Sequence, residues 1–177
     1  LLKSYFRQWM ERIRALIFID SWNIGVADTE VHSFLNDKNP PDIKWFPNLP
    51  QDRFYADPFA LNDGNKLHIF FEEFPYKEGK GKIAYTQYEK GEYSTPETVI
   101  SEKFHLSYPY VFKHDDNIYM VPESHEAGKI ILYKAIDFPK RWKEEHTIVD
   151  DYAGIDNTIF EYKDQWWMLT SDVNEGS

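Results

Sequence analysis

The sequence predicts an all-β fold made of repeated antiparallel blades, as in a β-propeller, and three observations lead there. The first is a hairpin pattern that occurs three times, over 56–74 (ADPFALNDGNKLHIFFEEF), 107–124 (SYPYVFKHDDNIYMVPES) and 155–171 (IDNTIFEYKDQWWMLTS). Asp57, Tyr108 and Asp156 are equivalent, at steps of 51 and 48 residues, and Glu72, Glu123 and Ser171 follow each of them by 15. The second is an independent marker with nearly the same period: Gly81-Lys82-Ile83 returns 47 residues later as Gly128-Lys129-Ile130. A period near 50 with several short strands per unit is the signature of a propeller blade. The third is residue type, because the segments between turns are rich in Ile, Val, Phe, Tyr and Trp, which suit a pleated, half-buried surface. An immunoglobulin-like sandwich would use the same residues but does not require an internal repeat.

Taken in order, residues 1–16 read as an amphipathic helix. Leu1, Leu2, Tyr5, Phe6, Trp9, Met10 and Ile13 recur at helical spacing, with Lys3, Arg7, Arg12 and Arg14 elsewhere on its surface. It is expected to act as a connector packed on its own protein. Two short strands, 22–26 and 43–46, follow on either side of a polar stretch containing Pro40-Pro41. Strands placed before the first full unit commonly complete the last blade of a ring. The incomplete propeller then occupies 17–177, with blades at about 57–100, 107–149 and, in part, 155–177. In the first blade the strands are expected at 59–61, 66–74, 82–89 and 95–100, and in the second at 110–112, 118–122, 129–135 and 142–148. Two units and part of a third cannot close a ring of about four to eight blades. The sequence therefore leads us to expect self-association or additional chain in the full-length protein.

Composition removes several function classes. A formal net charge of −10 argues against nucleic acid, whose phosphates need a basic surface. No stretch approaches the roughly 20 apolar residues of a membrane span. There is no cysteine, which excludes disulfides and leaves the compartment open. Zinc-ligand spacing, a phosphate loop, a nucleophile elbow and an EF-hand pattern are all missing, so no metal and no cofactor are expected.

Hairpin geometry gathers the remaining polar residues. The end of a hairpin's second strand lies beside the start of its first, which sets Glu72 or Glu73 near Asp57, Glu123 near Tyr108, and Ser171 or Asp172 near Asp156. Glu72 and Glu73 point to opposite faces, so at most one of them reaches the channel. His105, just before Leu106-Ser107-Tyr108, can join the same rim. Asp115-Asp116-Asn117 is ordinary turn chemistry, and Trp166-Trp167 read as packing between blades. Converging carboxylates on an aromatic-rich rim suit a carbohydrate ligand. In glycoside hydrolysis one carboxylic acid protonates the leaving oxygen while a carboxylate acts from the other side. Each residue also has a plain structural use, as when Asp57 shapes the backbone ahead of Pro58.

Asp57-Pro58 at the head of an inner strand resembles the Asp-Pro signature of the five-bladed propeller glycosidases, the arabinanases, xylosidases, invertases and levansucrases. That resemblance implies a five-bladed propeller in which Asp57 is base or nucleophile. Asp156, two units on, would tune the acid. The general acid would lie a further blade on, beyond Ser177, with Glu123 as a stand-in. The longer run ADPF…FFEE…GKI…HLSYPYVF…YMVPES…LYKA resembles the propeller domain attached to glucosamine inositolphosphorylceramide transferases and to formyltransferase-like proteins. It spans about residues 22–171. The two resemblances imply different functions. One is a hydrolase-like domain with Asp57, Asp156 and Glu123 as catalytic residues and Glu72, Glu73, His105 and Tyr108 on the substrate. The other is a non-catalytic sugar-binding or scaffolding module fused to a glycosyl- or formyltransferase.

Overall fold

A computed structural model describes residues 21–35 and 41–174, and the helix expected over 1–16 lies outside them. Apart from a 3₁₀ turn at Val31–Leu35 and another at His125–Ala127, the described secondary structure is all strand. Strands β1 (Gly25–Ala27) and β2 (Ile43–Trp45) pair as a small antiparallel sheet. The first unit contains β3 (Arg53–Asn62), β4 (Leu67–Pro75), β5 (Lys82–Glu89), β6 (Glu92–Tyr93) and β7 (Glu97–Ile100). In the second unit β8 (Ser107–His114), β9 (Asn117–Glu123), β10 (Lys129–Asp137) and β11 (Arg141–Asp150) follow one another across a four-stranded sheet. The third is the single hairpin of β12 (Gly154–Tyr162) and β13 (Gln165–Asp172).

All pairings are antiparallel, and all but that of β5 with β7 join neighbours in sequence, as the hairpin repeat predicts. The coarser part of the expectation, an all-β chain of antiparallel sheets, is what the described residues show: they form sheets of two, five, four and two strands, stacked in chain order. The fourth strand of the first unit differs. Lys90 and Gly91 both have positive φ (52° and 86°), the requirement of a tight hairpin turn. They fold β6 back on β5 before Pro96, which has no N–H to give a ladder, interrupts the pairing. The chain returns to β5 only as β7.

The stack follows from period-2 alternation. In β4, Ile69 and Phe71 face β1–β2, where Ile24 and Phe46 meet them, while Phe70 faces the second unit. In β5, Ala84 joins the first group, and Ile83 and Tyr85 the second. The second unit repeats this. Met120, Ile131 and Tyr133 pack toward the first unit, and Val121 and Ile130 pack toward Ile159 of the third. Both faces of the middle sheets are therefore buried, which is why their second strands read as nearly continuous apolar runs. At the far end Phe160, Tyr162, Trp166, Trp167, Leu169 and Val173 remain exposed.

Candidate functional site

The site rests on a backbone irregularity repeated in all three units. In β3, the pairing of Ala56 with Glu72 is followed by that of Phe59 with Phe70, so two residues oppose one. The same bulge lies between Ser107 and Tyr110 in β8, and between Ile155 and Thr158 in β12. The first bulged residue has positive φ each time: 50° at Asp57, 43° at Tyr108 and 53° at Asp156. Aspartate enters this left-handed region more readily than most residues. For Tyr108 the conformation must be imposed by its surroundings. A bulge re-aims a side chain and leaves a main-chain group outside the ladder, and here the stray amides have partners. The Tyr108 N–H donates to Asp57 Oδ2 at 3.3 Å, and the Asp156 N–H donates to Glu123 Oε2 at 3.2 Å. A carboxylate of one unit thus caps the bulge of the next.

Tyr108 links three units. Its N–H meets the first, its ring packs edge-on against Phe59 at 4.7 Å, and its hydroxyl is 3.1 Å from Thr158 Oγ1 of the third. Glu123 has both oxygens engaged, since Oε1 lies 2.8 Å from His125 Nδ1. Glu72 is buried and faces the rim. Glu73, next to it, points away into a pair with Arg53 (2.7 Å) and accepts from Thr98 Oγ1 (3.0 Å). Asp156 is the open member: it is exposed, and its carboxylate makes no hydrogen bond to the described residues. The structure therefore brings together Asp57, Glu72, His105, Tyr108, Glu123 and Asp156, and separates Glu73 from them.

The electrostatics follow from crowding and burial. Burial, then the charges of Asp57 and Glu123, push Glu72 up to about 8. Asp57 is raised by burial and by Glu123, with the Tyr108 N–H acting against it. Asp156 is raised by burial, Glu123 and Asp57. Burial lowers His105 below the usual imidazole range. Its Nδ1 accepts the Gly81 N–H at 2.9 Å, so the proton of the neutral ring is on Nε2, which lies 3.4 Å from Glu72 Oε1. At neutral pH Glu72 is thus a carboxylic acid beside a neutral histidine, among three neighbouring carboxylates.

Four contributors had no chemical role in the sequence reading. His125 and Glu126 come from the 3₁₀ turn after β9, and Glu126 Oε2 accepts the His105 N–H at 2.8 Å. Gly81 served only as a repeat marker. A Cβ there would lie 2.4 Å from the Leu106 carbonyl oxygen and 2.6 Å from Glu72 Oε1, so a glycine is what lets the His105 segment approach. At the position after the bulge residue, Pro58 and Pro109 give way to Asn157. It is fully buried, accepts from Thr170 Oγ1 at 2.8 Å, and leaves its Nδ2 without a partner among the described residues. No group of side chains among the described residues is arranged to hold a metal ion.

Residues 47–177 match the family described as "Glucosamine inositolphosphorylceramide transferase 1, N-terminal". Proteins named glucosamine inositolphosphorylceramide transferase 1 are similar to the chain. The one from Arabidopsis thaliana is 38% identical over 126 residues, which is 70% of this chain and 16% of that protein. The one from Oryza sativa subsp. indica is 34% identical over 121 residues, 67% of this chain and 16% of its own length. The chain thus spans about 16% of the length of the curated relatives it matches.

Proposed function

The chain belongs to the family of glucosamine inositolphosphorylceramide transferase 1 N-terminal domains, and from that premise we propose that it is a non-catalytic carbohydrate-recognition module working beside a transferase. The observation that carries this reading is how the rim carboxylates are used. Asp57 caps the Tyr108 amide, both oxygens of Glu123 are engaged, and Glu72 is buried against His105. A glycosidase needs, besides a free carboxylate such as that of Asp156, an acid open to the leaving oxygen, and Glu72 is buried. A binding site needs only a shaped rim with some unspent acceptors, and Asp156 supplies those. The sign of the charge narrows the ligand. A phosphate would be repelled by this rim, whereas a neutral polyol or an aminated sugar, whose ammonium pairs with carboxylates, would be favoured.

A second reading, a glycoside hydrolase-like five-bladed propeller, keeps one specific support. Glu72 is held protonated near neutral pH, as a general acid must be. In that reading Asp57 is the base or nucleophile. Calorimetry with glucosamine, N-acetylglucosamine, myo-inositol and inositol phosphate, run with an assay on aryl glycosides, separates the two. The module reading expects at least one uncharged or aminated sugar to bind, no binding of inositol phosphate and no turnover. It also expects Asp156→Asn to weaken binding about tenfold, the loss of one charge-assisted contact. Turnover abolished by Asp57→Asn would establish the hydrolase instead, and a chain that binds no sugar would overturn both.

A further inference from the structure

We propose that a row of aromatic rings beside the carboxylate rim is a second saccharide subsite, which makes the ligand an oligosaccharide of at least two pyranose units. The proposal rests on the sugar-recognition reading and adds the size and shape of what the rim holds. The row begins with Tyr76 and Phe54, whose ring centroids are 6.2 Å apart, and continues to Phe74, 4.9 Å from Phe54. It then passes to His105, 5.9 Å from Phe74, and to His125, 6.1 Å further on. The two histidines belong to the rim, where His105 Nε2 lies 3.4 Å from Glu72 Oε1 and His125 Nδ1 lies 2.8 Å from Glu123 Oε1.

Among the described residues, the apolar layers between the sheets do not include Phe54, Phe74 or Tyr76, and all three rings are half-buried. Register explains where they stand. Phe54 pairs with Phe74 two residues beyond the pairing of Ala56 with Glu72, so both share the face that carries Glu72. The positions 51 residues on are His105 and His125, and those another 48 on are Ala153 and Val173. The repeat therefore does not itself demand rings here. They occur in the two units that supply Glu72 and His105. The occupant follows from the mixed character of the row. A pyranose with equatorial hydroxyls has C–H bonds on its faces and hydroxyls around its edge. Its faces suit phenylalanine and its edge suits histidine and carboxylate, the combination of aromatic lining and few polar groups found in small-ligand sites. Centroid spacings of 4.9–6.2 Å along the row are close to the separation of successive rings in a glycan. A wholly apolar chain would instead strip water from Glu123 and Glu126 at the histidine end without replacing its hydrogen bonds.

Calorimetry with glucosamine and with its β-1,4-linked dimer, both free and N-acetylated, tests the subsite. The dimer is expected to bind about tenfold tighter than the single sugar, the gain from burying part of one aromatic side chain. Phe74→Leu, which keeps apolar bulk without a ring, should remove that gain and leave the affinity for the single sugar unchanged. Phe74→Tyr, which restores a ring, should retain it. Phe54→Leu gives a second reading where the change at Phe74 disturbs the fold. A dimer that binds no tighter than the single sugar, or one whose gain survives both leucine variants, would overturn the subsite and leave the sugar-recognition reading in place. A parent chain that binds none of the four sugars would overturn that reading, and the subsite with it.

Discussion

Equivalent positions of the first and third units behave in opposite ways. Phe70 in β4, Val121 in β9 and Leu169 in β13 occupy the same place in the repeat, and Phe70 packs toward the second unit and Val121 toward the third. Phe70 and Val121 are wholly buried, whereas Leu169 is 63% exposed. Leu61, Phe112 and Phe160 follow the same progression along the inner strands, the first two packed and the third open. The pattern of the chain marks a face for burial, but a neighbouring sheet has to supply it. Stability is therefore concentrated between the first two units and thins toward β13.

Substitution at these equivalent positions should give the largest contrast. Phe70→Ala is expected to cost about 3–5 kcal/mol, while Leu169→Ala, which removes atoms already in water, should stay within about 0.5 kcal/mol. Chemical denaturation of both variants measures the gap. Equal losses would mean that the third unit is covered as well as the first.

The glycines sharpen the same contrast at a smaller scale. Gly81→Ala drives a Cβ against the Leu106 main-chain oxygen and should cost about 1–3 kcal/mol, the usual range for overpacking. At Gly154 the nearest atoms are the side-chain ends of Ile130, Thr170 and Asn157, at 2.8–2.9 Å, in the layer with room to yield. A Gly154→Ala change that cost as much as Gly81→Ala would refute the idea of a softer third unit.

Much of this was legible in the sequence because it is local chemistry repeated. Turns such as Asn62-Asp63-Gly64 and alternating apolar positions fix hairpins and their faces within a few residues of chain. The rim was legible as a gathering of Asp57, Glu72, Glu123 and Asp156, since hairpin register alone places them. Which of Glu72 and Glu73 faces inward depends on parity after the bulge, and Tyr108-Pro109 gives no sign of a left-handed tyrosine. That backbone is held by Asp57 from the unit before, 51 residues away. His125 and Glu126 went unseen for a similar reason: a 3₁₀ turn and the close approach at Gly81 carry no periodic signal. The extra strand β6 depends on a two-residue turn at Lys90-Gly91, which the single-strand reading of 95–100 passed over.

A pH-dependent effect belongs to Glu72. Its pKa is about 8 in the folded chain against 4.5 for a free glutamate, so the folded state favours the protonated form. The stability tied to that proton is complete below about pH 4.5 and is lost as pH rises through 8. Glu72→Gln keeps the shape and removes the loss. The variant should match the parent near pH 4 and melt roughly 10–20 °C higher at pH 9. Each pH unit between the two pKa values is worth about 1.4 kcal/mol, and each kcal/mol moves the melting temperature by roughly 2–4 °C. A constant difference across that range would show that Glu72 is not held as a neutral acid.

The rim, as a sugar-recognition surface, has a built-in reporter, because two bulge amides are bonded to rim carboxylates. In an NMR titration of the chain with glucosamine at pH 7, the Tyr108 and Asp156 amide resonances should move together and saturate. Those of the distant β5–β6 turn at Lys90 and Gly91 should stay fixed. Saturating shifts at Lys90 and Gly91 with still signals at Tyr108 and Asp156, or no shift at any amide with every sugar of the panel, would contradict a sugar-binding rim.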